Sequence, residues 1–127
     1  MASSPQYAAT PIIWSARISV ANTNRDGTGA VTTLGTSGAN GTRIDSVSIK
    51  ALQATTQGMI RFYIFDGTNT RFFSEDEVNP VAATGLDKTH ESYIEFGGGL
   101  VLPVNHQLRV STQTGEVFDV MAYGGNL

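Results

Sequence analysis

Apolar and polar residues alternate with a period of two along most of the chain, the pattern of half-buried β-strands. Residues 12–21 place Trp14, Ala16, Ile18 and Val20 on one face and Ser15, Arg17 and Ser19 on the other. Residues 31–36 are a short second candidate. Residues 44–53 set Val47, Ile49 and Ala51 against Ser46, Ser48 and Lys50. Residues 59–65 are apolar at nearly every position, which marks a central strand or one covered on its outer side. Asp66-Gly67-Thr68-Asn69 is a hairpin signal, and residues 71–77 make the return strand before Asn79-Pro80 breaks it. Ser92, Ile94 and Phe96 alternate with Tyr93 and Glu95, and Gly97-Gly98-Gly99 is expected to end that strand. Residues 100–104 and 107–112 flank Asn105-His106, and residues 117–123 form the last strand. No window of eleven residues carries an uninterrupted helical stripe.

This pattern predicts an all-β fold, an antiparallel β-sandwich, with a jelly roll of about eight strands as the first expectation. An immunoglobulin-like sandwich without its cysteine pair is the second. The expected core holds Trp14, Ile18, Val47, Ile49, Ile60, Phe62, Ile64, Ile94, Phe96, Leu108, Val110, Phe118, Val120 and Ala122. Residues 1–13, with Pro5 and Pro11, have little strand drive before Ile12. They are expected to form an N-terminal arm, leaving residues 14–127 as a single sandwich domain. Ser3, Pro5, Tyr7 and Pro11 are the candidate contacts of that arm. Residues 22–41, rich in Gly, Asn, Asp and Thr, read as long loops around one short strand.

At 127 residues the chain is long enough for one real core. It has no Cys, which removes disulfides, thiolate metal sites and cysteine nucleophiles. A net charge of -3 argues against nucleic acid as the main partner. No stretch approaches the apolar length of a membrane-spanning helix. The first six residues lack the basic and apolar regions of a signal peptide. Charged residues are only 15% of the chain, which suits a protein that hides polar surface in an assembly.

Catalytic signals are weak. His90 and His106 are expected on exposed loops, with no Gly-x-Ser-x-Gly elbow elsewhere to complete a triad. A metal at these two would need carboxylates from distant parts of the fold. Glu75-Asp76-Glu77 is the densest charge run, read as a solvated strand end with Glu75 and Glu77 on one face. None of the glycine clusters precedes a helix that could hold a phosphate. No enzyme activity, catalytic residue, metal or cofactor is therefore expected. The aromatic residues are more informative. Phe62, Tyr63, Phe65, Phe72 and Phe73 crowd one hairpin, and alternation sends about half of them outward. Tyr63, Phe65, Phe72 and Phe73 are the candidate subunit interface, since outward apolar patches mark contacts. Trp14 and Tyr93 are candidates for stacking a sugar.

Four segments carry a family resemblance: Asn40-Gly41-Thr42-Arg43-Ile44-Asp45-Ser46-Val47-Ser48-Ile49, Gly58-Met59-Ile60-Arg61-Phe62-Tyr63-Ile64-Phe65-Asp66-Gly67, the run from Leu100-Val101-Leu102-Pro103 to Arg109-Val110-Ser111-Thr112, and Phe118-Asp119-Val120-Met121-Ala122-Tyr123-Gly124-Gly125. Together they resemble the capsid cement, or decoration, proteins of tailed bacteriophages. The resemblance implies a small β-sandwich, commonly a trimer, on the outer surface of the capsid. Its partners would be the major capsid protein and further copies of itself, with no nucleic acid and no membrane. It implies no catalytic residues and transfers no binding site. A receptor- or carbohydrate-binding module of a phage tail or fibre is the alternative.

Overall fold

Backbone pairing gathers eight strands into two layers in the computed structural model, which describes residues 10–127. In chain order they are β1 (Thr10–Ile18), β2 (Thr32–Thr36), β3 (Thr42–Ala51), β4 (Gly58–Phe65), β5 (Thr70–Val78), β6 (Glu91–Leu102), β7 (Gln107–Thr112) and β8 (Phe118–Asn126). The first sheet has the order β1-β8-β3-β6 and the second β2-β7-β4-β5. Every ladder between them is antiparallel. The pairs β1/β8, β2/β7, β3/β6 and β4/β5 are those of one long hairpin wrapped over on itself. This is a jelly roll, and the immunoglobulin-like order does not apply.

The alternation located the core. Ile18, Val47, Ile49, Ile60, Phe62, Leu108, Val110, Phe118, Val120 and Ala122 are buried between the sheets, and Trp14, Ile64, Ile94 and Phe96 are half-buried against them. A register one residue off would have turned every one of these to the opposite face. Leu34, Ile44, Val78 and Leu102 complete the core.

Three local departures from strict alternation have physical causes. The first strand runs from Thr10 to Ile18 rather than from 12 to 21. Beyond Ile18 the chain leaves the first sheet, and Ala21 bridges Thr112 of the second, so Val20 is exposed rather than inward. Residues 10–13, grouped with the arm on sequence grounds, stand in β1, where Pro11 lies opposite Gly125. The rest of the arm, including Ser3, Pro5 and Tyr7, lies outside the described residues.

Gly97-Gly98-Gly99 does not end its strand. Glu95 pairs with Ser46 and Leu100 with Ile44, so the chain bulges out and rejoins the same neighbour. Gly98 and Gly99 have φ of 85° and 88°, which side-chain-bearing residues rarely adopt. Residues 92–96 and 100–102 are thus one strand, and the Arg43 side chain takes the space over Gly99. Opposite this region Asp45 is an extra residue of β3, where the register with β8 shifts between Ile44 and Ser46. Gly124 faces that bulge. A Cβ there would run into the Arg43 carbonyl.

Candidate interaction surfaces

The outer faces of the two sheets differ, and the residues on them explain why. On the second sheet, Met59, Arg61, Tyr63 and Phe65 of β4 alternate outward. The β1–β2 connection folds back over the middle of this row. It is tied to β7 by the Asn22 N–H, which donates to the Thr112 carbonyl at 2.8 Å. Buried Asn22 then holds the loop together. Its Nδ2 donates to the carbonyls of Thr28 and Ala30 at 2.9 and 3.1 Å, and its Oδ1 accepts from the Asn24 N–H at 3.0 Å. Asp26 caps the turn by accepting from both the N–H and the hydroxyl of Thr28, and these bonds hold its carboxyl below the usual range. Gly27, with φ of 87°, presses against Thr70 at the start of β5.

Beneath this loop Arg61 is 1% exposed and Tyr63 0%. The Arg61 Nε donates to Glu75 at 3.2 Å and its Nη1 to the Asn22 carbonyl at 3.4 Å. The Tyr63 hydroxyl donates to the Asn24 carbonyl at 3.0 Å and lies 3.2 Å from the Ser111 hydroxyl. A buried guanidinium with a carboxylate partner is permitted where an isolated one is not.

The four predicted interface aromatics therefore separate. Tyr63 points away from the core as alternation requires, but the chain's own loop covers it, and it presents no surface to a partner. Phe65 lies under the Arg109 guanidinium, 3.9 Å from its ring centroid, a cation–π contact. Phe72 stands opposite Tyr63 with ring centroids 5.8 Å apart. Phe73 occupies the irregularity where β5 slips against β4 and turns toward Phe96 of β6, at 5.7 Å. Phe72 and Phe73 remain 41% and 39% exposed. The Asn, Asp and Gly pattern of the loop that hides Tyr63 is the signal of a fixed turn structure, though not of where that structure docks.

The outer face of the first sheet is open among the described residues. Strand register places four side chains side by side in each row. Ser15, Met121, Ser48 and Tyr93 make one row, and Ile13, Tyr123, Ser46 and Glu95 the next. Ile13 is 65% exposed, Tyr93 63% and Met121 37%. The Tyr123 hydroxyl leans across to the Ser48 hydroxyl at 3.0 Å. A third row closes the face with alternating charge: Arg17, Asp119, Lys50 and Glu91. The Arg17 Nε donates to Asp119 at 2.7 Å, which depresses the Asp119 carboxyl pKa and raises that of the guanidinium. Glu91 is held below its ordinary pKa first by the Tyr93 hydroxyl at 2.6 Å and then by Lys88. The alternation is visible in the sequence but this face is not, because the strands that build it are far apart in the chain.

The remaining candidates separate as well. His90 is buried rather than exposed, packed where Ala51 donates its N–H to the His90 carbonyl at 2.9 Å, and its Nε2 has no hydrogen-bond partner. His106 sits in the β6–β7 turn with Nδ1 3.2 Å from the Val104 carbonyl. The acidic run splits by face as alternation predicts. Glu75 pairs with Arg61 and with Arg25 at 3.2 and 3.5 Å. Glu77 meets Gln57, and Asp76 turns inward to accept from Ser92 at 2.5 Å. Among the described residues no group of three or more His, Asp or Glu side chains is placed to hold a metal. A pocket of about 170 Å³ opens where β1 leaves the first sheet, and Arg17 is the one titratable side chain among its lining residues. Trp14 is half-buried on Gly35 of β2.

No protein-family model matches the chain, and no curated protein does. Among solved structures it is similar to the crystal structure of a pentameric capsid protein isolated from metagenomic phage sequences. The two are 16% identical with a TM-score of 0.41, over 92% of this chain and 60% of that one. The chain thus spans less than two thirds of that protein's length.

Proposed function

We propose that this chain is a structural virion protein of a tailed bacteriophage, one that binds the outer capsid surface as a homo-oligomer and braces the shell. It acts by binding, without a catalytic step or cofactor. The major capsid protein is its partner, and the resemblance in four of its segments to cement proteins is what suggests the virion.

The observation that carries a role in an assembly is the open outer face of the β1-β8-β3-β6 sheet, the surface on which a homo-oligomer can form. Exposed Ile13, Met121, Tyr93 and Val101 lie on a rigid, hydrogen-bonded platform with hydroxyl and charged groups between them. Soluble domains that expose such mixed apolar faces use them as contacts, and non-obligate protein interfaces are mixed in polarity in the same way. Bracing a shell needs a stiff body with broad faces rather than a deep pocket. A sandwich closed by six ladders offers that stiffness.

Quantitative peptide mass spectrometry of purified virions tests the reading. A fixed, high ratio to the major capsid protein is expected. A handful of copies per particle would favour a place on the tail, and absence from the particle would end the proposal.

A further inference from the structure

The charged row at the end of the open face alternates in sign across the sheet: Arg17 on β1, Asp119 on β8, Lys50 on β3 and Glu91 on β6. A row of this kind is complementary to its own reversal. We propose that this face is a contact between two copies of the chain, related by a two-fold axis that lies in the interface and runs along the strands.

That axis sets β1 on β6 of the second copy and β8 on β3. Arg17 then meets Glu91 of the second copy, and Asp119 meets Lys50, each pair occurring twice and joining the Arg17–Asp119 and Lys50–Glu91 pairs that each copy already makes at 2.7 and 3.8 Å. Side-chain size also matches. Exposed Tyr93 faces Ser15, and Tyr123, which leans over β3 to Ser48 of its own copy at 3.0 Å, lies close to the axis. At the other end of the face, Pro11 meets Val101, apolar on apolar.

The alternative in-plane axis, across the strands, fails the same comparison. It would bring the charged row onto the row Pro11, Gly125, Arg43 and Val101. Lys50 would then face Arg43, and Asp119 and Glu91 would face Gly125 and Val101, with no opposite charge across the contact. Charge therefore chooses between the two geometries. Isologous contacts of this kind are the commonest in soluble oligomers. Face-to-face sheets pack about 10 Å apart with a modest rotation, which long Lys, Arg and Glu side chains can span.

The second sheet offers no equivalent, because loop 22–28 covers the middle of its outer face. Four strands about 4.8 Å apart and seven residues long give roughly 450 Å² of plane per copy. That is at the small end for specific contacts, so self-association in the micromolar range is expected. Charge at such an interface sets register and excludes wrong partners more than it adds affinity. The contact does not depend on the virion reading, and it replaces the three-fold arrangement that the resemblance implies with a two-fold one.

Sedimentation of the full chain over a range of concentrations tests it. The unmutated protein is expected to pass from monomer to dimer. Asp119→Lys would set a second positive charge against Lys50 of the other copy, and Lys50→Glu would set a second negative charge against Asp119. Each alone should weaken dimerisation about tenfold or more, with circular dichroism unchanged. An equimolar mixture of the two variants restores both opposite-sign pairs and should recover dimers of the wild-type affinity. Recovery in the mixture is an outcome that a merely destabilised fold does not produce. Single variants that dimerise as well as wild type, a mixture that stays monomeric, or a wild-type trimer or persistent monomer would overturn the proposal. So would loss of capsid addition by Asp119→Lys in a protein that is monomeric throughout, since the face would then belong to the capsid subunit. Virion copy number is read separately, so either proposal can fail alone.

Discussion

The indole of Trp14 in β1 lies on the backbone of Gly35 in β2, across the seam where the edges of the two sheets meet. A Cβ added to Gly35 would fall within the ring. The contact closes one side of the sandwich, and only the absent side chain of Gly35 gives the indole its place. Gly35→Ala must move the ring or the edge strand, and overpacking of this kind typically costs about 1–3 kcal/mol. Urea unfolding is expected to show that loss with an unchanged slope. A second variant, Trp14→Leu in the Gly35→Ala background, should recover part of it.

Arg61 and Glu75 form the electrostatic base under loop 22–28. Glu75→Gln takes the counter-charge from a guanidinium with little exposed surface, whose other bond is a long one to the Asn22 carbonyl. Glu75 keeps some solvent contact, so the expected loss is about 1–3 kcal/mol, less than for a fully buried pair. Replacing both, as Arg61→Met with Glu75→Gln, removes the buried charge and should cost less than Glu75→Gln alone. A double mutant more than additively destabilised in equilibrium unfolding would contradict this account of the pair.

Tyr63→Phe removes the hydroxyl that donates to the Asn24 carbonyl while leaving the ring beside Phe72. A loss of about 0.5–1.5 kcal/mol is expected. Hydrogen exchange should localise it, with faster exchange of the amides of residues 22–28 and unchanged rates in β4. Uniform acceleration over the sheet would show that the hydroxyl supports the strand instead of the loop.

The pairing of Asp119 with Arg17 predicts the sign of one pH effect. Folding holds the Asp119 carboxyl below its ordinary range of about 4. Between the folded and unfolded values, the unfolded chain binds more protons, so stability falls as the pH drops through that window. Above about pH 5 the contribution is fully present. Asp119→Asn should flatten the acid side of the stability profile below about pH 4 and leave its neutral side parallel to wild type. An unchanged acid limb in thermal melts would show that the pair is too solvated to matter.

How much of this was legible in sequence depends on the range of each interaction. Val47 and Ile49, or Ile60 and Phe62, reveal their inward direction through their immediate neighbours, so the core was readable. A jelly roll was reachable from strand count and turn spacing, but the pairing order of its strands was not. The bulges were not. Gly97-Gly98-Gly99 looks like a strand end, and only the ladder to β3 on both sides makes it a detour. The fate of Tyr63 was hidden for a different reason. Its outward direction follows from β4 alone, but its cover comes from a loop 39 residues earlier in the chain. The open face was least accessible: Arg17 and Asp119 are 102 residues apart, and no local pattern reports that their strands are neighbours.

The proposed role is tested most directly by reconstitution. Purified protein is added to capsid shells assembled without it, and the particles are imaged by electron cryomicroscopy. Saturable density is expected at repeated positions on the outer shell, with each jelly roll contacting capsid subunits and the filled shells resisting heat or low salt better than bare ones. Shells that acquire no ordered density at saturating protein, or density confined to the tail vertex, would contradict it.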